Sequence, residues 1–152
     1  MSQRGGAMLS EESREQVRDS WNGLGFFYDR DDERHAWRVM GSRAGLLRFA
    51  RLLERYADDP VHAKVSEHEH YGPYWYLEFM TGATPQIARH AIVGMPQDFR
   101  ALAHTVVTIA GNAGVGDIVV IDQQFAQTNE YVLEIAVEAD SFLPADADPQ
   151  LQ

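Results

Sequence analysis

The chain has 152 residues, of which 45% are hydrophobic, 11% aromatic and 24% charged, with a formal net charge of −10. That profile describes one globular domain and excludes a disordered or a fibrous chain. No apolar run reaches the roughly 18 residues that span a bilayer, Met1 to Ser20 lacks the apolar stretch of a signal peptide, and cysteine is absent. The lack of cysteine excludes a disulfide framework, thiol catalysis and cysteine zinc sites, and the expected setting is the cytoplasm, away from membranes.

The charge is unevenly spread. Met1 to Lys64 holds 11 basic and 11 acidic residues, whereas Val65 to Gln152 holds 12 acidic residues against Arg89 and Arg100 alone. A face built from the second half repels nucleic acid and anionic lipid and attracts a basic partner.

Residues 1–22 read as a polar, partly flexible N-terminal segment, in which Val17 and Trp21 have the spacing of a short helix. An apolar stretch from Gly23 to Tyr28, a charged turn over Asp29 to Glu33 and the alternating His35 to Met40 predict a strand, a turn and a strand. Ser42 is placed to cap a helix whose stripe is Leu46, Phe49, Ala50, Leu53 and Ala57, closed by Pro60. Its other side carries Arg48, Arg51 and Arg55, a solvated basic stripe with Glu54, Asp58 and Asp59 in reach. Pro73 to Thr81 alternates as a strand, Gly82 to Pro85 turns, and Gln86 to Val93 reads as a second strand. Pro96 suits the first position of a helix with the stripe Phe99, Leu102, Ala103, Val106 and Ala110. Asp117 to Asp122 and Glu130 to Ala139 predict two last strands, and residues 141–152 an extended acidic tail.

The order is ββα-ββα-ββ within a single α+β domain over residues 23–140. Hairpins favour antiparallel pairing, so the expectation is a two-layer sandwich, a mainly antiparallel sheet of about six strands with two helices on one face. The two helical units also match at a shift of 53 residues, with Val39 on Ile92, Gly41 on Gly94, Leu46 on Phe99 and Leu53 on Val106.

The densest chemistry lies in Glu67-His68-Glu69-His70-Tyr71-Gly72-Pro73-Tyr74-Trp75-Tyr76. If Glu67 to Tyr71 is extended, His68 and His70 share one face and Glu67 and Glu69 the other. The reading taken first is a protein-contact surface of Glu67, His68, Glu69, His70, Tyr71, Tyr74 and Trp75. The alternative is a zinc site on His68 and His70, completed by His62, another histidine or a carboxylate, which makes the chain a metal-dependent enzyme or metal-binding module. Other chemistries have less support. G-x-S-x-G is absent, and the G-x-G of Gly114 to Gly116 follows a helix and precedes a strand, the reverse of a dinucleotide fingerprint.

The stretch from Leu46-Leu47-Arg48-Phe49-Ala50-Arg51-Leu52-Leu53 through Glu67-His68-Glu69-His70-Tyr71-Gly72-Pro73-Tyr74-Trp75-Tyr76-Leu77 resembles a little-characterised family of small bacterial proteins. In that family an L-x-x-F-A-x-x-L helix is followed by E-H-E-H and an aromatic strand. Gly94 to Leu102 resembles its next strand-to-helix segment, and Phe142-Leu143-Pro144 its F-D-P tail with Leu143 in place of the acid. Similar E-H-E-H proteins are assigned to immunity in polymorphic toxin systems. The resemblance spans Gly41 to Asp148 and implies a non-enzymatic inhibitor of a protein partner, with no catalytic residue and no cofactor. Charge makes that partner basic, and nothing in the pattern sets the oligomeric state.

Overall fold

Polar residues start the described chain, and they are helical because they are capped. In the computed structural model, which describes residues 9–152, the Ser10 hydroxyl accepts from the Ser13 N–H and opens α1, Glu11–Leu24. The expected loose segment over residues 1–8 lies outside the described residues. Beyond α1 come β1 (Phe27–Asp31), β2 (Ala36–Gly41) and α2 (Arg43–Asp58), then β3 (His68–Tyr71), β4 (Leu77–Thr81), β5 (Gln86–Ile87) and β6 (Ile92–Gly94). The helix α3 (Pro96–Asn112) and the strands β7 (Ile118–Ile121) and β8 (Val132–Val137) complete the fold. Ser42 caps α2 by accepting from the Gly45 N–H, and Pro96 opens α3, both as the sequence leads one to expect.

The class is α+β, a rough sandwich, with differences of detail. Among the described residues there are eight strands in two four-stranded mixed sheets, ordered β1-β2-β8-β7 and β3-β4-β6-β5, and three α-helices. The apolar run Gln86 to Val93 is two strands, because the Ala88 N–H donates to the Ala91 carbonyl and turns the chain at Arg89-His90. Each sheet is antiparallel at both margins and parallel in the middle, β2 against β8 and β4 against β6. Hairpins impose the antiparallel pairs. The parallel ones arise because each half of the chain lends its last strand to the other half.

The exchange makes the two halves equivalent. Shifting β1, β2, α2, β3 and β4 by four strands gives β5, β6, α3, β7 and β8, and the two sheet orders map onto each other. Gly41 ends β2 opposite Val137, and Gly94 ends β6 opposite Thr81. The next residue of each lent strand then donates to that glycine's carbonyl, Glu138 to Gly41 at 2.8 Å and Gly82 to Gly94 at 3.1 Å.

Both sheets and the α2–α3 pair share one core. Phe49 lies 5.0 Å from Phe26 and 6.3 Å from Phe79, ring centre to ring centre, and Phe99 lies 5.6 Å from Phe79. All four are fully buried, and each such side chain contributes about 1.5–3 kcal/mol by leaving water.

Of the N-terminal segment expected over residues 1–22 the described part forms α1, and the tail expected to be extended over residues 141–152 is turned and lies against it. The tail forms two 3₁₀ turns, Pro144–Ala147 and Pro149–Leu151, docked on α1. Asp148 is 1% exposed and accepts from the Trp21 indole at 2.8 Å and the Tyr74 hydroxyl at 2.7 Å. Arg14 donates to the carbonyls of Gln150 and Leu151. One aspartate of an acidic-looking tail is thus the buried acceptor that fastens both termini.

A second polar junction ties the sheets together at the β1–β2 turn. The Asp32 carboxylate accepts from Tyr131 at 2.6 Å and from Arg30 at 2.7 Å, with Arg89 at 3.3 Å. The Tyr131 hydrogen bond, then that of Arg30, holds the Asp32 carboxyl down to about 2. A carboxyl depressed in the folded state contributes stability above its unfolded pKa and loses it as pH falls through the folded one. Asp32→Asn is therefore expected to destabilise the chain at pH 7 by about 1 kcal/mol or less, since the group is half exposed. The deficit should fade between pH 4 and pH 2, as urea titrations across that range can read.

Gly45 and Gly111 give a paired expectation. A Cβ at Gly45 would be driven into the Gly25 carbonyl oxygen, whereas one at Gly111 meets nothing within 4 Å. Both lie in helices, where alanine is favoured by up to about 1 kcal/mol. Gly111→Ala should stabilise by that order, and Gly45→Ala should instead cost about 1–3 kcal/mol through forced backbone movement, both readable from denaturation midpoints.

Candidate functional site

The residues singled out by the sequence sit at the free margin of the second sheet. β3 is its edge strand, paired antiparallel with β4 so that His68 faces Met80, Glu69 faces Phe79, His70 faces Glu78 and Tyr71 faces Leu77. Alternation along a strand then sorts the side chains. His68, His70, Glu78 and Met80 point outward, while Glu69 and Tyr71 lie on the side of the buried Phe79 and Leu77.

Two backbone carbonyls fix the outward histidines. His68 Nδ1 lies 3.2 Å from the Ser66 carbonyl and His70 Nδ1 lies 3.1 Å from the Trp75 carbonyl. A carbonyl only accepts, so each Nδ1 carries the proton and each Nε2 keeps its lone pair. Both carbonyls belong to residues in the left-handed region, Ser66 at φ 80° and Trp75 at φ 62°. A non-glycine residue held there costs about 1–2 kcal/mol, and here that conformation aims the carbonyls at the two imidazoles. The Trp75 indole lies nearly parallel to His70, 15° between planes and 5.9 Å between centres, and remains 68% exposed. His70 Nε2 is 4.0 Å from a Glu78 oxygen, and His68, His70 and Glu78 offer ligand atoms that all lie within 4.8 Å of one another.

His62 does not join them. It is 3% exposed, stacked on Tyr56 at 3.8 Å, with Nδ1 donating to the Tyr56 carbonyl at 2.8 Å and Nε2 3.0 Å from Glu69. His62, Glu69 and Asp59 are also close enough for a metal, yet their groups are committed within the protein. Both His62 nitrogens are engaged, Glu69 also accepts from Tyr71 at 2.9 Å, and Asp59 caps the turn that follows α2. Of the sequence-based trio of His68, His70 and His62, the first two come together with Glu78, while His62, in the turn Pro60–Ala63 before β3, sits with Glu69 on the inner side.

The remaining contact candidates divide between surface and interior. His68, Glu69, His70 and Trp75 are exposed, and Glu67 is half-buried, its carbonyl accepting from Tyr56. Tyr71 and Tyr74 are turned partly inward. Tyr71 packs on Phe79 at 4.7 Å, and its phenol is pushed far up by burial and then by its bond to Glu69, so it acts as a neutral donor. Tyr74 serves Asp148. Sequence reasoning missed Glu78 as a member of the group. The clue was the hairpin register, in which a turn over residues 72–76 sets His70 opposite Glu78.

Three of the best-formed clefts, of about 230, 350 and 30 Å³, are lined by other parts of the chain and not by His68, His70 or Glu78. Comparison with protein-family models, with curated proteins and with solved structures finds no match to this chain. No helix among the described residues is long and apolar enough to cross a membrane.

The two groups of histidines should separate on mutation. His62→Ala removes a stacked, doubly bonded ring and is expected to cost about 2–4 kcal/mol. His68→Ala should stay within about 0.5 kcal/mol of the parent, as surface changes do. Urea denaturation of the two variants checks this.

Proposed function

We propose that this chain is a non-enzymatic bacterial binding protein of the cytoplasm, an immunity-type inhibitor of a basic protein. It meets its partner through the edge strand β3 and the loop that carries Trp75. The observation that carries the reading is Trp75 itself, a large indole 68% exposed and held at φ 62°. Tryptophan is enriched among residues that dominate binding energy, and a strained backbone that holds one largely in solvent is a feature typical of functional sites. The unpaired margin of β3 beside it offers backbone groups for strand addition. Glu67 and Glu69 add negative charge, and the net charge of −10 favours encounter with a basic surface while disfavouring nucleic acid. The likeness of Glu67 to Tyr76 to immunity-type sequences points the same way.

The test is binding, at two ionic strengths, to candidate basic proteins taken from the neighbouring genes. Trp75→Gly removes the indole and relieves the backbone, so the isolated protein should keep its stability or gain up to about 1 kcal/mol. Partner affinity should fall about tenfold or more, the scale of a residue worth over 1.4 kcal/mol. The association rate should drop steeply as salt shortens the field to about 8 Å. Unchanged affinity in the folded variant would remove Trp75 and this surface from the interaction.

A further inference from the structure

We infer that His68 and His70 of β3 and Glu78 of β4 form a site for a divalent transition-metal ion of the zinc class on the outer face of the second sheet. Three independent features of the fold converge on it.

The first is ligand geometry. Two histidines at alternate positions of one strand point to the same side, and the register brings Glu78 directly opposite His70. Ligand atoms bound at about 2.0–2.1 Å in a tetrahedron stand about 3.3 Å from one another. The three groups lie within 4.8 Å as they are, and small rotations of two exposed imidazoles close the difference.

The second is the state of the imidazoles. Each Nδ1–H is tied to a backbone carbonyl, which leaves each Nε2 lone pair free and sets the ring direction. Metal-binding histidines are oriented in this manner by the groups behind them. The two left-handed residues that supply those carbonyls, Ser66 and Trp75, gain a role that the stability of the fold alone does not give them.

The third comes from the internal equivalence of the two sheets. Glu78 on β4 corresponds to Glu134 on β8, the lent strand of the first sheet. Glu134 is 6% exposed and neutralised by Arg34 and by Arg38, the latter facing it from β2 and bonding at 2.8–2.9 Å. In the second sheet β6 begins at Ile92 opposite Phe79, so the register places Ala91 beside Glu78, and no arginine among the described residues pairs with it. The Glu78 side chain is only 13% exposed, and the group that meets it, His70 Nε2 at 4.0 Å, carries no proton in the tautomer whose Nδ1–H faces the Trp75 carbonyl. A half-buried carboxylate lacking the cation that its counterpart has, beside two oriented imidazoles, is a site for a cation. Two nitrogens and one carboxylate suit Zn²⁺, with Ni²⁺ and Mn²⁺ as weaker or stronger competitors according to ligand preference.

This inference does not depend on the partner reading, because it is tested on the chain alone. Chelator-stripped protein is titrated calorimetrically with Zn²⁺, then with Ni²⁺ and Mn²⁺. Saturable one-to-one binding is expected, lost in His70→Ala, weakened about tenfold or more in Glu78→Gln and retained in His104→Ala, a change on the exposed side of α3. A readout that needs no variant accompanies it: of the six histidines, zinc should shift the imidazole NMR signals of His68 and His70 only. Absence of saturable binding with all three metals overturns the inference. So does binding that survives His70→Ala, or zinc shifts centred on other histidines. Partner affinity measured in chelator reports on the contact surface separately, so either reading can fail while the other stands.

Discussion

The parallel pairing of β2 with β8 and of β4 with β6 is the constraint from which the rest of this structure follows. A ββαββ unit cannot bury both faces of its own hairpins, and each half solves this by inserting its final strand beside the second strand of the other half. The consequence is one core, filled by Phe26, Phe49, Phe79 and Phe99, in place of two small ones. At this chain length one larger core buries a greater share of surface than two would. The exchange also fixes which strands become edges. β3 follows a helix and pairs only with the strand that is lent, so it is left at a margin, and its alternating histidines face solvent for that reason.

Elements set by local chemistry were legible in the sequence, and long-range partnerships were not. The Ser42 cap, the Pro96 start and the apolar stripes of α2 and α3 depend on neighbours within a few residues, and the 53-residue correspondence of Gly41 with Gly94 marks equivalent strand ends. Hairpin order suggested antiparallel neighbours, but nothing in β2 names β8 as its partner, since a strand with two neighbours reads as apolar alternation whichever direction they run. The split of Gln86 to Val93 was hidden because Ile87 and Ile92 both face inward across a turn of only four residues. The docking of α1 was equally hidden. A helix burying only Trp21 has almost no stripe, and its anchor, Asp148, looks like one more acid in an acidic tail.

For the candidate site the sequence named the strand but misjudged its company. Alternation correctly separates His68 and His70 from Glu69, yet His62 precedes the strand by a turn whose direction no periodicity reports. It stacks under Tyr56 and completes the inner side. Glu78 entered through the β3–β4 register, which sets it opposite His70 across a turn that holds Trp75 in a conformation a bulky residue rarely takes. Two equivalent glutamates, Glu78 and Glu134, show how one scaffold diverges. In the first sheet two arginines close the position and make it structural. In the second, Ala91 stands where Arg38 would be, and two histidines of β3 face the glutamate where β7 carries Ile118 and Val120.

The distribution of charge also takes a different meaning once the side chains are placed. The second half of the chain carries all of the excess negative charge, but several of its acids are consumed within the fold. Glu134 balances two arginines, Asp148 holds the termini, Asp98 caps the start of α3 at 2.8 Å from the Met95 N–H, and Asp117 closes the turn at Gly114. A carboxylate that is paired or spent on backbone donors projects a weaker field than its formal charge suggests, and distance and salt reduce it further. Net charge therefore sets how readily the whole molecule approaches a basic surface, while the local arrangement decides where it docks. At the margin of β3, Glu69 remains partly exposed beside a presented indole and two oriented imidazoles. On the proposed reading, recognition at that margin rests on a few side chains whose directions the backbone has already fixed, which leaves little ordering entropy to be lost on binding.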